Sequence, residues 1–390
     1  MNEKHFSVVV IGAGPAGSAA AMTLASRGTD VCLIDKKVFP REKLCGGLLT
    51  RRSRLVFEEV FGEGWEDVVV DRAEGVRFFD KESYLSGVEH YSTLYFTRRI
   101  QFDHYLLQKA TGEGVVPLLG NGVREIDPDE RRVTLKNGQK ISYDFLVGAD
   151  GVQSIVAKKC YGESFDKKEI GFALECEVPL SNVIKAVEVP EIYFNSIEWG
   201  YAWVFPKRDT LTVGIGGLHR LNRELRKGFD SFLLQRFGEM ERPEIKGHYI
   251  PFGGYRKRAA FGNVFLCGDA AGYVETVTGE GIAFAMQSGH NAARVILEKL
   301  KDPTVDTEAF YRAYNREITL ALGISRILRT FIFSKIFNRI FLAALGKSKT
   351  IGKRHLDLMA AKISYPQYLV IILKKILLSP WTMLKRSWRK

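Results

Sequence analysis

Six residues, Gly12-Ala-Gly14-Pro-Ala16-Gly17, constrain this chain more than any other feature in it. They follow Phe6-Ser-Val-Val-Val-Ile11, an apolar run of strand composition, and lead into the alanine-rich stretch Ser18 to Arg27, whose composition predicts a helix closed by Gly28. A second apolar run, Asp30 to Ile34, ends at Asp35, eighteen residues past Gly17. In that order each glycine has a separate duty. Gly12 permits a tight turn, Gly14 lets backbone approach a pyrophosphate, and Gly17 lets the helix pack on the strand. Ala16 lies in the first helical turn, whose free N–H groups face phosphate, and Asp35 accepts hydrogen bonds from the adenosine ribose. The segment is therefore expected to bind a dinucleotide, the alternative being a glycine-rich turn of an ordinary α/β domain.

FAD and NAD share that fingerprint, so the choice rests on later residues. Ala149-Asp150-Gly151-x-x-Ser154 follows the apolar run Phe145 to Gly148, and Gly268-Asp269-Ala-Ala follows Asn263 to Cys267. Either alone would be an ordinary Asp-Gly turn. Together they put two aspartates just past buried strands, where each can meet a polyhydroxy chain. FAD has a ribityl chain to be held and NAD does not. FAD is the expected cofactor.

With these residues in place the chain resembles the glutathione-reductase-type FAD proteins of the p-hydroxybenzoate hydroxylase group over most of residues 5–300, and more narrowly the geranylgeranyl reductase family. The broad resemblance implies that the first glycine motif binds the pyrophosphate, that Asp150 contributes to FAD and reductant handling, and that Asp269 holds the ribityl chain. Arg99-x-x-Phe102-Asp103 also matches, which implies that Arg99 contacts the pyrophosphate region. Ala157 stands where the group often has arginine.

Three segments carry the narrower resemblance. Phe39-Pro40-Arg41-Glu42-Lys43-Leu44-Cys45-Gly46-Gly47 is similar to a family segment beside the isoalloxazine, which implies cofactor contact for Arg41, Cys45, Gly46 and Gly47 and a shaping or protonating role for Cys45. Thr278-Gly279-Glu280-Gly281-Ile282 is similar to the flavin-contacting turn; Gly279, Gly281 and the following helix N-terminus would stabilise the anion of reduced flavin. Tyr201-Ala-Trp203-Val-Phe205-Pro206 resembles a substrate-cavity signature in which aromatic walls bury a long isoprenoid, although such alternation is also what a core strand produces. Thr276 and Glu198 stand where the family has proline.

Composition sets the remaining bounds. At 390 residues and 46% hydrophobic the chain is long enough for two or three domains with a large core. Cys32, Cys45, Cys160, Cys176 and Cys267 are odd in number and show no paired spacing, and the seven histidines show no metal-ligand spacing, so reduced thiols and no metal are expected. The N-terminus enters a strand at Phe6 without room for a signal peptide, and Lys335, Arg339, Lys374 and Lys375 interrupt the best apolar runs before they reach the ~20 residues of a membrane span. A cytoplasmic protein, or one peripheral on the cytoplasmic membrane, is expected. The net charge of +12 is concentrated at one end, because residues 318–390 carry fifteen Lys and Arg against the single acid Asp357. Residues 366–390 mix aliphatic bulk with Trp381, Trp388 and six basic residues, a composition suited to an anionic membrane surface more than to nucleic acid; a helical region packed on the body with a basic face is the competing reading.

The expected architecture is α/β: a glutathione-reductase-type FAD-binding Rossmann domain with an inserted β-rich substrate domain and a C-terminal helical region. Residues 1–70, 101–165 and 256–305 are assigned to the FAD domain, 71–100 and 166–255 to the substrate domain, and 306–390 to the helical, basic region. The resemblance implies reduction of prenyl double bonds, with a prenyl lipid or prenyl diphosphate as substrate and Tyr201, Trp203 and Phe205 lining its site. A flavin monooxygenase or halogenase, and a non-catalytic membrane-associated flavoprotein, are the alternatives. No second dinucleotide fingerprint is visible, so NAD(P)H visits transiently or a ferredoxin-type protein supplies electrons.

Overall fold

A computed structural model of the chain describes residues 3–375 other than Ile184. The opening segment folds as β1 (Lys4–Ile11), α1 (Pro15–Ala25) and β2 (Val31–Asp35). There follow β3 (Leu48–Leu49), α2 (Arg51–Phe61), β4 (Asp71–Asp80), β5 (Ser83–Phe96), α3 (Arg99–Gly112), β6 (Val116–Leu119), β7 (Val123–Asp127), β8 (Arg132–Leu135), β9 (Lys140–Gly148) and α4 (Ile155–Tyr161). The middle of the chain gives β10 (Ile170–Pro179), β11 (Glu191–Phe194), β12 (Gly200–Pro206), β13 (Thr210–Leu218), α5 (Leu225–Phe237) and β14 (Lys246–Pro251). After β15 (Ala260–Phe261) and β16 (Val264–Leu266) the chain is helical, with α6 (Ile282–Lys301), α7 (Thr307–Tyr314), α8 (Arg316–Phe333), α9 (Lys335–Lys347) and α10 (Lys349–Met359).

Two eight-stranded sheets result. The first runs β15-β16-β9-β1-β2-β6, with β7 and β8 as a hairpin on β9. Its central pairs are parallel. Val8, Val9 and Val10 are fully buried, as expected of a strand covered on both faces. Helices α1 and α6 cross in contact, since a Cβ on Gly289 would lie 2.0 Å from the Ala16 carbonyl oxygen. This is the Rossmann architecture expected from the sequence.

The second sheet runs β14-β10-β13-β12-β11-β4-β5-β3 and is antiparallel except for β11 against β4. Side chains alternate across it. Leu174, Cys176, Val178, Val204 and Val213 pack under Phe229, Phe232 and Leu233 of α5. That alternation leaves Ala173, Glu175 and Glu177 of β10 and Tyr201, Trp203 and Phe205 of β12 on the opposite face.

The C-terminal helices lie on the body as far as they are described. Arg329 of α8, only 5% exposed, donates to Glu169 Oε2 at 2.6 Å. Arg52 of α2 donates to the Leu358 carbonyl at 3.0 Å and to Tyr365 Oη at 3.3 Å. No described helix is long and apolar enough to cross a membrane. Residues 376–390, with Trp381 and Trp388, lie outside the described residues.

Candidate flavin and substrate site

The glycine turn has the shape a pyrophosphate cradle needs. Gly12 has φ +103°, and a Cβ there would lie 2.3 Å from the Ala149 carbonyl oxygen. A Cβ on Gly17 would lie 1.7 Å from the Gly12 carbonyl oxygen, so glycine is obligatory at both positions. Gly14 is different. Its Cβ would meet only Arg41 Nη2, at 3.6 Å, which leaves its face open below a guanidinium. The α1 N-terminus above it carries no side-chain cap and no acidic residue. Asp35 closes the turn, accepting from the Ala13 N–H at 2.8 Å and the Lys37 N–H at 2.8 Å.

Positive charge is in excess here. Arg99 donates to both oxygens of Asp103 at 2.6 and 2.8 Å, and Arg41 reaches the same carboxylate at 3.2 Å. Two guanidiniums thus share one fully buried acid. Burial opposes the Arg99 charge, yet Asp103 holds it above its ordinary range. Lys43 adds to the set: burial, then Arg99, pushes its ammonium below the usual value, while Asp269 and Cys45 pull it back.

The flavin-side segments converge from three directions. Gly268 brings the Asp269 turn against α1, since its Cβ would be 3.1 Å from Ala16 Cβ. Gly279 has φ +72° and approaches the second sheet, where its Cβ would lie 3.1 Å from Tyr201 Oη. Glu275 braces that turn by accepting from the Val277 N–H at 3.0 Å and the Thr278 N–H at 2.5 Å. Thr276 donates to Ser325 Oγ of α8 at 3.2 Å, which anchors the turn without the family's proline. Gly281 immediately precedes α6 as its N-cap and supplies no side-chain cap, and Ile282 packs beside Leu49, Phe57 and Met286.

Cys45, Gly46 and Gly47 lie on the aromatic face of the second sheet. A Cβ on Gly46 would be 2.8 Å from Phe205 Cε2 and 3.3 Å from Trp203 Nε1, and one on Gly47 would be 2.1 Å from the Thr97 carbonyl oxygen. Cys45 Sγ accepts from the Gly47 N–H at 3.5 Å. Asp150 follows β9 and lies beside the glycine turn, its Cα 2.9 Å from where a Cβ on Gly12 would sit. It accepts from Ser154 Oγ at 2.5 Å and the Ile155 N–H at 2.7 Å, so its carboxylate is engaged with the start of α4. Ala157 is buried in the same helix. Glu198 pairs with Lys335 of α9 at 3.1 Å.

The sheet also supplies residues that sequence patterns did not single out. Register aligns Lys246, Glu175, Gly214 and Trp203 across four strands, and beside them His248, Ala173, Gly216 and Tyr201. Gly214 has no side chain, and the Trp203 indole fills its place. Glu175 Oε1 accepts from the Cys45 N–H at 3.2 Å, while Glu175 Oε2 and Trp203 Nε1 are both buried without a hydrogen bond of normal geometry. Burial raises the Glu175 carboxyl to about 7, with Lys207 opposing and Glu177 adding to the rise. Burial, helped by the nearby Lys43, drops His248 to about 4. The face is set by register, which places Glu175 beside Gly214 and Gly214 beside Trp203.

A narrow cavity of about 60 Å³ lies between the sheet and the C-terminal helices. Tyr201, Phe205 and Phe194 form one wall, Val277 and Thr278 of the flavin-side turn another, and Ile332, Phe341 and Leu345 of α8 and α9 a third. His355, whose imidazole burial lowers to about 4, is its one lining residue that could carry charge near neutral pH, and it stays neutral there. Trp203 lies behind the Tyr201–Phe205 wall, edge-on to Tyr201 at a centroid distance of 5.9 Å and tilted against Phe205 at 6.3 Å.

FAD fits this set of donors: an open glycine face, a surplus of guanidinium charge and two uncapped helix N-termini all favour an anionic, extended dinucleotide. The family model described as an FAD binding domain matches residues 5–194. The chain is 30% identical to the chloroplastic geranylgeranyl diphosphate reductase of Oryza sativa over 319 residues, covering 75% of this chain and 67% of that protein. It is 28% identical to the menaquinone reductase of Mycolicibacterium smegmatis, covering 83% and 86%. Among solved structures, a geranylgeranyl bacteriochlorophyll reductase-like protein from Thermoplasma acidophilum superposes with a TM-score of 0.79 at 20% identity, covering 96% of this chain and 100% of that one.

Proposed function

Because this chain belongs to the geranylgeranyl reductase family of FAD-dependent oxidoreductases, we propose that it reduces carbon–carbon double bonds of a prenyl chain carried on a lipid or a diphosphate. The support is the lining of the cavity, which is apolar and bounded on one side by the flavin-side turn at Val277 and Thr278. Menaquinone and geranylgeranyl compounds share a polyprenyl chain and differ in everything else. A lining without a charged group suits that shared chain and leaves the head group outside.

Bound FAD would supply the electron pair and one hydrogen. The protein's part is placement. Gly12, Gly14, Gly17, Arg41 and Arg99 hold the phosphates, Asp35 the ribose and Asp269 the ribityl chain, while Gly279 and Gly281 present backbone to the ring system. Tyr201 and Phe205, with the α8 and α9 side chains, exclude water and orient an alkene that offers no polar atom to grip. NAD(P)H or a ferredoxin-type protein is the proposed electron donor. Contact with an anionic membrane through the basic C-terminal region is part of the same reading. Exposed Ile327, Ile336 and Phe337 support it, beside the fifteen basic residues of positions 318–390.

The decisive experiment mixes photoreduced protein anaerobically with geranylgeranyl compounds while flavin absorbance and product mass are followed. Flavin reoxidation with a product two mass units heavier is the expected result. An absolute requirement for oxygen would instead make the chain a monooxygenase or halogenase, and a flavin indifferent to every alkene would make it an electron carrier. Flotation with vesicles containing anionic lipid, compared with neutral vesicles, tests the membrane contact.

A further inference from the structure

We propose that Glu175 is the redox-linked proton carrier of the flavin site: its carboxylate takes up one proton from water as the bound cofactor is reduced, and releases it as the electron pair passes to the substrate. This rests on FAD occupying the family site and not on the identity of the prenyl substrate.

Geometry carries the argument. Glu175 is 8% exposed and stands on the sheet face that Cys45 and Gly46 cover. One oxygen is held by the Cys45 N–H at 3.2 Å, and the other is buried beside the Trp203 indole N–H without a hydrogen bond of normal geometry, the indole itself filling the place a Gly214 side chain would take. A structural carboxylate at such a depth is expected to have both oxygens satisfied. The groups facing it are few. Glu177 and Cys176 neighbour it on β10, Lys207 follows β12, Lys246 stands opposite on β14, and Cys45 approaches from the loop. Lys207 is shared with Glu177 at 3.2 Å, and Lys246 pairs with Glu244 at 3.3 Å and with Glu42. Neither cation is committed to Glu175.

A carboxylate so placed responds to charge added nearby. Negative charge gained by a neighbouring flavin disfavours the ionised carboxylate and draws a proton onto it. The proton stored is the one that double-bond reduction consumes: the π bond, the bond that held the donated hydride and the Glu175 O–H bond are lost, one C–H bond forms with the hydride and its electron pair and the other with the Glu175 proton, and the carboxylate is restored. The electrons come from the NAD(P)H or ferredoxin-type donor alone.

The test uses the full-length FAD-loaded protein without any prenyl substrate. Midpoint potential is measured against pH, and a reduced-minus-oxidised infrared difference spectrum is recorded. In the wild type a protonated-carboxyl band grows on reduction, and the slope of potential against pH changes near neutrality. Glu175→Gln removes both features and Glu175→Asp restores the band. A Glu175→Gln protein that keeps its FAD with the band and the slope change intact overturns the proposal. If that variant does not retain FAD, Trp203→Phe decides, because loss of the indole donor must move the slope change to higher pH; an unmoved break overturns the proposal. Failure to reduce prenyl compounds, with these signatures present, would count against the substrate and not against Glu175.

Discussion

A Cβ on Gly214 would lie 2.1 Å from Cζ2 of Trp203, so the glycine is the seat of the indole. Gly214→Ala should expel the ring toward Gly46 and Phe205. The expected cost is about 1–3 kcal/mol of stability, typical of overpacking. Denaturant melts would record the loss, and a red shift of tryptophan emission would report the ring's escape from its buried seat.

Gly17→Ala should weaken FAD binding roughly ten- to hundredfold, the equivalent of 1–3 kcal/mol of strain in the cradle. Gly28 is the control. It has φ +76° with nothing within 4 Å of its Cβ position, so Gly28→Ala should cost about 1 kcal/mol of stability and leave FAD affinity unchanged. Flavin fluorescence titration of the two apoproteins separates the cases.

The pH dependence of stability should have two opposed limbs. Glu175 sits at about 7 against an ordinary 4.5, so between those values the folded chain keeps a proton that the unfolded chain sheds, and stability falls as pH rises. That limb amounts to about 3 kcal/mol at 1.36 kcal/mol per pH unit. His248 and His355 act in reverse. Both lie at about 4 against an ordinary 6.5, so their contribution is complete above 6.5 and is lost as pH falls toward 4. Glu175→Gln should flatten the first limb only, and His355→Phe should shrink the second, in melts of the apoprotein across pH 4 to 8.

Leu345 is buried in the cavity wall, on a helix that does not touch the glycine cradle. Leu345→Phe should narrow the cavity and lower kcat/KM for a geranylgeranyl substrate about tenfold, about 1.4 kcal/mol, with a smaller loss for a farnesyl one. FAD content should not change. Equal losses for both chain lengths would show that the chain does not reach Leu345.

How much of this was legible beforehand depended on how far each feature's partners lie in sequence. The Gly12–Asp35 unit is local: turn, helix and acid fall within one βαβ segment, and its periodicity and glycine spacing suffice. The resemblance at Arg41–Gly47, Gly279–Ile282 and Tyr201–Phe205 pointed to segments that do meet in space, though it could not give their contacts. Spacing places Asp150 just past a buried strand but does not give the hydrogen bonds that its two oxygens accept from the start of the next helix. Glu175 was invisible for a different reason. Its meaning comes from a glycine on the adjoining strand and an indole on the strand beyond, and register between strands is not written in any one of them. The third wall of the cavity was hidden in the same way, inside a helical region whose basic character suggested a surface role.

The row Val9, Leu146, Val264 joins three neighbouring strands of the first sheet whose members are more than a hundred residues apart along the chain. Parallel pairing over such distances is slow to form and leaves edges bare meanwhile. Synthesis therefore exposes Gly12 to Gly17 long before Asp269 and α6 arrive to enclose them. The nucleotide can be gripped only once the chain has emerged as far as α6, so the yellow colour of bound flavin in the purified protein should report that the cradle has been closed.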